Sequence, residues 1–290
     1  MAQRNVLPPL RDKPYGGAWS IHDVEALAVL QEGSSHVDTK DFLNDYKEWI
    51  QQDKKLAGLD GYQHVDFSAG TTETFHMFYM RHLDRRLRLF KDEYFYHHMI
   101  GRNYFKETST LCPGTLKKND LVVMSCPFSG TGNIPENFNE ILTECDSLSV
   151  PVMLDLAYLN ISDIKELDLG FKCITTVTTS LSKVFPVEKN RIGIRLERDL
   201  YDDPMVAYNQ NDYLNSDSVA IGQKLIKKFD NMWLHDKYKD LQKTTCDEMG
   251  LTPSRCVIFG LGSKGTYDDY NRGGNFNRLC FSRTWDKRIK

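Results

Sequence analysis

The chain has 290 residues, of which 40% are hydrophobic and 27% are charged, as is typical of a globular protein. Its 37 lysines and arginines against 40 aspartates and glutamates give a net charge of −3, which argues against a nucleic-acid-binding surface. No run approaches the ~20 apolar residues that a membrane span needs, and residues 1–17 lack the apolar centre of a secretory signal. We therefore expect a cytoplasmic protein that binds neither nucleic acid nor membrane.

Seven cysteines are spread singly along the chain, and none belongs to a C-x-x-C pair. This spacing gives little support to a metal knuckle or to thioredoxin-like redox chemistry, so no metal site is predicted. Cys126, Cys173 and Cys256 fall within apolar runs. We expect these thiols to be reduced and buried, and to pack as small hydrophobic side chains.

The N-terminal third is expected to be mostly helical. An amphipathic stretch ends at Gly33, and residues 39–58 place aromatic side chains at helical spacing before a second glycine. A short strand at 65–68 leads into a turn. Residues 72–90 then read as one amphipathic helix whose arginines form a solvated basic face.

The remainder of the chain predicts an α/β fold with a mostly parallel sheet flanked by helices. The apolar runs do not alternate with polar residues, and residues 136–149 between the first two suit a crossover helix, so the strands should be covered on both faces. Residues 218–245 read as one long helix that links this sheet to a smaller unit. The predicted strands are 121–126, 150–155, 173–179, 191–196, 256–261 and 278–282.

We divide the chain into three parts on this basis. Residues 1–50 form an N-terminal arm and part of a small domain, and residues 51–215 form the large sheet domain. Residues 216–290 supply the linking helix and a reduced C-terminal small domain. The small α+β domain is therefore expected to be built from both ends of the chain.

Polar residues follow the predicted strands, at the edge where open α/β sheets hold their ligands. A small-residue turn at a helix start offers free amides to a phosphate, and nearby hydroxyls and a guanidinium can complete a cradle for a dianion. A lysine near that arginine, partly desolvated, should have a lowered pKa and act as an amine nucleophile. The residues in chain order are Gly70, Thr71, Thr72, Asp155, Tyr158, Ser180, Ser182, Lys183 and Arg191.

One molecule requires all of these groups together, namely pyridoxal phosphate (PLP). The order D-L-A-Y from Asp155, S-L-S-K from Ser180 and R-I-G from Arg191 resembles the fold-type I PLP enzymes, and class I/II aminotransferases in particular. The resemblance covers residues 60–200. The spacing of 28 residues from Asp155 to Lys183, and then eight to Arg191, is more specific than any single element.

The resemblance implies a role for each of these residues. Lys183 would form the aldimine with PLP and shuttle the proton at Cα, Asp155 would pair with the ring nitrogen, and Tyr158 would bond the phenolic oxygen. An aromatic residue should stack on the ring, and Tyr94 is the first candidate with Tyr96 second. The remaining cofactor-binding residues would be Gly70, Thr71, Thr72, Ser180, Ser182 and Arg191.

The substrate would be held from the two chain ends. Related aminotransferases clamp the substrate carboxylate with a late arginine, and Arg278 at the start of the last strand fits that place, with Arg272 and Arg283 as rivals. Gly17, in a glycine turn, would supply backbone groups. The sequence departs from the family at Pro127, near where an asparagine usually touches the phenolic oxygen, so Asn133 is considered instead. The chain is also shorter than typical members.

The resulting hypothesis is a PLP-dependent aminotransferase that moves an amino group between an amino acid and a 2-oxo acid. A β-elimination lyase, a decarboxylase or an oxidase on the same fold is the nearest alternative. A non-catalytic PLP-binding module is a further alternative. Fold-type I enzymes build their sites at a dimer interface, so the resemblance also implies a homodimer.

Overall fold

The computed structural model describes residues 10, 13–33 and 35–286. The α-helices within these residues are α1 (Val24–Gln31), α2 (Thr39–Trp49), α3 (Thr71–Arg81), α4 (Phe95–Tyr104), α5 (Phe138–Leu148), α6 (Pro204–Gln210), α7 (Ser216–Lys228), α8 (Trp233–Met249) and α9 (Ser282–Trp285). The strands are β1 (Lys55–Ala57), β2 (His64–Ser68), β3 (Arg86–Leu89), β4 (Thr108–Thr110), β5 (Asp120–Ser125), β6 (Val152–Asp155), β7 (Glu166–Asp168), β8 (Ile174–Ser180), β9 (Gly193–Glu197), β10 (Thr252–Pro253), β11 (Phe259–Gly262) and β12 (Asn277–Cys280).

A seven-stranded sheet organises the large part of the molecule, in the order β2-β9-β8-β6-β5-β3-β4. Only β9 runs antiparallel to its neighbours β2 and β8, and the other pairs are parallel. The central strands β5 and β6 are buried along their whole length, as expected of strands covered by helices on both faces. The predicted α/β class and mostly parallel sheet are confirmed.

The crossover helix predicted between the first two of these strands is present as α5. Its buried side chains recur at the spacing of one helix face, so they pack together towards the core while the opposite face meets solvent. β5 and β6 then pair in parallel from Val122 with Val152 to Ser125 with Asp155. This register brings the ends of both strands to one edge of the sheet.

A smaller antiparallel sheet of β10, β11 and β12 lies towards the C-terminus. The N-terminal segment joins it, because the Cys280 amide at the end of β12 donates a hydrogen bond of 3.0 Å to the Tyr15 carbonyl oxygen. The segments around Tyr15 and Cys280 therefore meet beside this sheet. The domain limits at 50/51 and 215/216 stay a prediction.

The segment from Thr72 to Phe90 is not one helix, and this prediction was wrong. α3 ends at Arg81, and Arg86–Leu89 forms strand β3 between β4 and β5. The guanidinium groups of Arg86 and Arg88 lie 2.6 and 2.7 Å from the Asp120 carboxylate. Asp120 neutralises both arginines, so the R-L-R-L segment can lie inside a sheet instead of forming a solvated basic helix face.

The long helix predicted for residues 218–245 is also divided, into α7 and α8. The Asp230 carboxylate accepts the Met232 amide at 2.9 Å, which forms a turn. The Phe229 carbonyl accepts the Trp49 indole N–H at 2.7 Å, and the Asn231 amide group donates to the Ile50 carbonyl at 3.2 Å. Contacts with the end of α2 therefore take over the backbone groups where the helix breaks.

The cysteines are free thiols, and all except Cys112 are buried. The prediction for Cys126, Cys173 and Cys256 is confirmed, since each lies in the hydrophobic core. No helix in the described ranges is long and apolar enough to cross a membrane. The same ranges hold no group of three or more metal-binding side chains.

Candidate active site

Lys183 lies in the single turn of 3₁₀-helix that follows β8. Its Nζ atom donates a hydrogen bond of 2.7 Å to the carbonyl oxygen of Ala18. Burial lowers the pKa of Lys183, and the charge of Arg278 lowers it further, while Asp155 opposes the shift. A desolvated amine next to a neutral acceptor is well suited to act as a nucleophile.

Asp155 ends the neighbouring strand β6. Burial raises the pKa of Asp155 to about 7, although its carboxylate accepts the Ala157 amide at 2.9 Å. Negative charge on Glu93 contributes to the rise, and Lys183 acts against it. The predicted amine and carboxyl group thus interact electrostatically inside the protein.

Gly70 opens α3 with a φ of +73°, a conformation that favours glycine. A Cβ atom at this position would lie 2.6 Å from Nη2 of Arg191, so the guanidinium rests directly on the glycine. The same Nη2 atom lies 3.3 Å from the Thr72 hydroxyl. Arg191 is exposed and makes no salt bridge with the described residues. An unpaired guanidinium therefore stands beside the first amides of α3, including that of Thr71, which suits an anion.

Ser180 and Ser182 are both buried next to this cradle. The Ser180 hydroxyl accepts the Ser182 amide at 3.1 Å and lies 2.9 Å from the Ile192 carbonyl oxygen. The two serine hydroxyls are 3.0 Å apart. Ser180 thus holds the turn that carries Ser182 and Lys183.

Tyr94 precedes α4 and faces the same region. Burial raises the pKa of Tyr94 to about 12; Tyr158 and Asp155 add to the rise, and Arg191 opposes it. Tyr96 stacks on Tyr94 with ring centroids 6.1 Å apart, and its hydroxyl bonds to His76 instead. Of the two candidate stacking residues, Tyr94 is therefore the one that interacts with the charged groups of the site.

Tyr158 and Arg278 meet at Phe259 on β11. The Tyr158 ring packs edge-on to Phe259 at 5.3 Å, and the Arg278 guanidinium carbon lies 4.2 Å from the Phe259 ring centroid. Arg278 is buried, donates from Nη1 to the Ser129 carbonyl and leaves its Nε atom without a partner among the described residues. A buried guanidinium with an unused N–H suits a carboxylate ligand.

Of the two rival arginines, only Arg272 lies near Arg278. Burial, followed by the charge of Arg278, lowers the pKa of Arg272 to about 9, and its Nε atom is also buried without a partner in the described chain. Neither guanidinium is in a salt bridge within those residues. Arg283 instead lies over the Trp19 ring at 4.1 Å.

Gly17 sits between two residues whose carbonyls contact the site. The Gly16 carbonyl accepts a hydrogen bond from Arg272, and the Ala18 carbonyl accepts one from Lys183. The structure therefore brings the predicted glycine turn to the lysine.

The substitute role considered for Asn133 stays a prediction, and its backbone and side-chain oxygen are already engaged within the protein. Its side-chain oxygen accepts the Arg255 amide at 2.9 Å, and its own amide donates to the Thr131 hydroxyl at 3.2 Å. Sequence reasoning also missed Glu93, a buried carboxylate beside Asp155. The one sequence feature that could have pointed to Glu93 is its position directly before a run of aromatic residues.

No protein-family model and no curated protein sequence matches the chain. Solved structures do match. A C-S lyase from Staphylococcus hominis superposes with a TM-score of 0.67 at 12% identity, covering 94% of this chain and 85% of the lyase chain. Tyrosine aminotransferase from Leishmania infantum matches with a TM-score of 0.66 at 13% identity, covering 98% and 95%.

An aromatic aminotransferase from Pyrococcus horikoshii matches with a TM-score of 0.66 at 11% identity, covering 94% of this chain and 91% of that chain. Because these sequence identities are low, the matches show the fold alone. Together with the topology described above, they show that this chain has the fold of the fold-type I PLP aminotransferases and C-S lyases.

Proposed function

We propose that this protein binds PLP and acts on an amino acid as an aminotransferase. The observation that supports the cofactor most is the electrostatic interaction of the half-buried Lys183 with the buried Asp155, with Arg191 and the start of α3 forming an anion cradle at the same sheet edge. An amine, a carboxyl group and an anion site are the three groups that PLP requires. When bound, PLP supplies an electron sink for negative charge at the substrate Cα.

We assign each residue near the cofactor ring a separate role. Lys183 would hold the cofactor through its amine and would move the proton at the substrate Cα, for which its lowered pKa is suited. Asp155 would pair with the ring nitrogen, and Tyr94 would cover the ring. Tyr158 would donate a hydrogen bond to the phenolic oxygen.

The proposed phosphate site is the cradle formed by Arg191 and the first amides of α3. Arg191 would neutralise part of the phosphate charge and the helix amides at Thr71 and Thr72 would donate hydrogen bonds to its oxygens, with Gly70 leaving room for the guanidinium. Ser180 holds the turn, and Ser182 adds a hydroxyl. This division makes the phosphate site separable by mutation from the ring site.

Arg278 and Arg272 support a carboxylate-bearing substrate. Arg278 is buried and Arg272 is half-buried, they interact with Lys183 or Tyr158, and each retains a buried Nε atom without a partner within the described residues. The turn around Gly17 closes the same region through its contacts with Lys183 and Arg272. This convergence favours an enzyme over a non-catalytic PLP-binding module.

The fold also occurs in the C-S lyase of Staphylococcus hominis, so a lyase is the second candidate. Incubation of the PLP-loaded protein with single amino acids, without a 2-oxo acid, separates the two. Accumulation of pyridoxamine phosphate supports the aminotransferase; released ammonia with the cofactor retained as PLP supports the lyase. The Lys183→Ala variant is the control and should give neither product.

The proposed assembly is a homodimer, as the resemblance implies. Light scattering of the PLP-loaded protein tests it. A mass of twice the chain supports the dimer, and a monomer of full activity contradicts it.

A further inference from the structure

Glu93 is a buried carboxylate that the proposed function does not use. It is 4% exposed and accepts three hydrogen bonds, from the Ser125 amide at 2.9 Å, the Ser125 hydroxyl at 2.6 Å and the Tyr94 amide at 2.8 Å. It forms no salt bridge with any described lysine or arginine. Burial raises the pKa of Glu93, and these hydrogen bonds from neutral donors oppose that rise by favouring the ionised form.

These hydrogen bonds reach both sides of the proposed ring pocket. One fixes the backbone of Tyr94, the residue proposed to cover the ring. The other two fix Ser125, which is the register partner of Asp155 in the β5–β6 pair. The next residue, Cys126, donates its amide to the Asp155 carbonyl at 2.9 Å. Glu93 therefore contacts the element that covers the ring and the strand that flanks its acidic partner.

A chain of hydrogen bonds extends from Glu93 to the arginine proposed to bind the substrate. The Ser125 hydroxyl donates to Glu93 and accepts the Ser129 amide at 2.7 Å. The Ser129 carbonyl in turn accepts Nη1 of Arg278 on β12. This relay crosses from the large sheet to the small one, so the ring pocket and the carboxylate site share one support.

We propose that Glu93 is a positioning residue, which holds Tyr94 and Arg278 in register across the site and, in its ionised form, adds a second negative charge beside Asp155. The inference rests on the proposed function, because it concerns how the same pocket is held. Negative charge on Glu93 raises the pKa of Asp155, so the ionised form of Glu93 should also favour a protonated ring nitrogen. The titratable groups that interact with Glu93 include Asp92, Tyr79, Cys126 and Asp155.

The Glu93→Gln variant, loaded with PLP, tests both the negative charge of Glu93 and its hydrogen bonds to Tyr94 and Ser125. Glutamine has the same size but is neutral and cannot accept all three donors. We expect about tenfold weaker PLP affinity. The pH midpoint of the absorbance change of the bound cofactor should move down by about one unit, because loss of negative charge disfavours the protonated form.

Two further variants separate these effects. Ser125→Ala keeps the charge of Glu93 and breaks the relay, so it should raise KM for the amino acid without moving the pH midpoint. Glu197→Gln removes a carboxylate that is just as buried, but which pairs with Arg81 at the other end of β9, so neither KM nor the midpoint should change.

The outcomes distinguish this inference from the proposed function. A Glu93→Gln protein with the pH midpoint and KM of the parent overturns the role of Glu93 and leaves the proposed function in place. A Ser125→Ala protein with unchanged KM overturns the hydrogen-bonded relay from Glu93 to Arg278 and likewise leaves the proposed function in place. A parent protein that binds no PLP overturns both.

Discussion

The Nζ atom of Lys183 lies 2.7 Å from the carbonyl oxygen of Ala18, a residue 165 positions earlier in the chain. The N-terminal segment thus reaches across the sheet edge and contacts the amine on which the proposed chemistry depends. The same segment accepts a hydrogen bond from Arg272 at Gly16. The lysine and one of the two neighbouring arginines are therefore oriented by a single turn, which places this turn at the edge of the proposed substrate pocket.

Asp155 should make the stability of the cofactor-free protein depend on pH. Its pKa in the fold, about 7, lies above the ordinary value of 3.8, so the native state retains a proton that the unfolded chain loses. This contribution to stability is complete below the unfolded pKa and is lost as the pH rises through about 7. Asparagine cannot titrate, so Asp155→Asn should reduce the loss of stability between pH 5 and 8 by about 2–3 kcal/mol.

Urea unfolding of the parent and of Asp155→Asn at both pH values measures this difference. Asp163→Asn, which changes a half-exposed carboxylate paired with Arg255, serves as the control and should keep the pH dependence of the parent. Equal pH dependence in the parent and Asp155→Asn would count against the protonation proposed for this residue.

Arg191 should contribute to binding through the phosphate alone. Its guanidinium lies against Gly70 and Thr72 at the start of α3, away from a carboxylate partner in the described chain. Arg191→Gln should weaken PLP binding by about 10- to 100-fold, the range expected when charge-assisted hydrogen bonds are lost. Binding of pyridoxal, which lacks the phosphate, is the internal control and should change little. Equal losses for both ligands would refute the phosphate role.

Arg278 and Arg272 should act on the substrate rather than on the cofactor. Arg278→Gln and Arg272→Gln are each expected to raise KM for an amino acid about tenfold or more, with a smaller effect on kcat. Binding of PLP should be retained. Arg283→Gln is the matched control, because that guanidinium lies over Trp19, and it should have the KM of the parent. Amines without a carboxylate should react equally with parent and variants; a selective loss with these amines contradicts the assignment.

Asp120 should be essential for the stability of β3. Asp120→Ala would leave Arg86 and the almost fully buried Arg88 without their shared carboxylate, at a cost of about 3–5 kcal/mol in the free energy of unfolding. Glu107→Ala removes only an exposed partner of Arg86 at 3.4 Å, and should cost less than about 1 kcal/mol. Urea unfolding of the two variants compares them directly. Similar losses in both would show that Asp120 does not neutralise the strand.

The parts of the fold that could be predicted are those that depend on a pattern of neighbouring residues in the sequence. The continuous apolar runs at 121–126 and 150–155 identify central strands without further information. The strand at Arg86–Leu89 could not be found this way, because its arginines are neutralised by Asp120, more than 30 positions away. The break between α7 and α8 likewise depends on Trp49 and Ile50, some 180 positions distant.

The residues of the candidate site likewise fall into those that the local sequence identifies and those that depend on the tertiary structure. Asp155 and Lys183 follow strands and carry a recognisable spacing, so the sequence alone could select them. Arg272 could be weighed only as one of several late arginines until the tertiary structure brought it next to Arg278. Glu93 could not be selected from the sequence, because its proposed role depends on Ser125, which the fold places opposite Asp155.

In the proposed function, Lys183 is the residue to which the cofactor becomes covalently attached. Borohydride reduction of the PLP-loaded protein, followed by proteolysis and mass spectrometry, identifies the attached residue. We expect one pyridoxyl-phosphate label, on the peptide that contains Lys183, and no label at that peptide in Lys183→Ala. A parent protein without a label, or with the label on another lysine such as the buried Lys54, would contradict it.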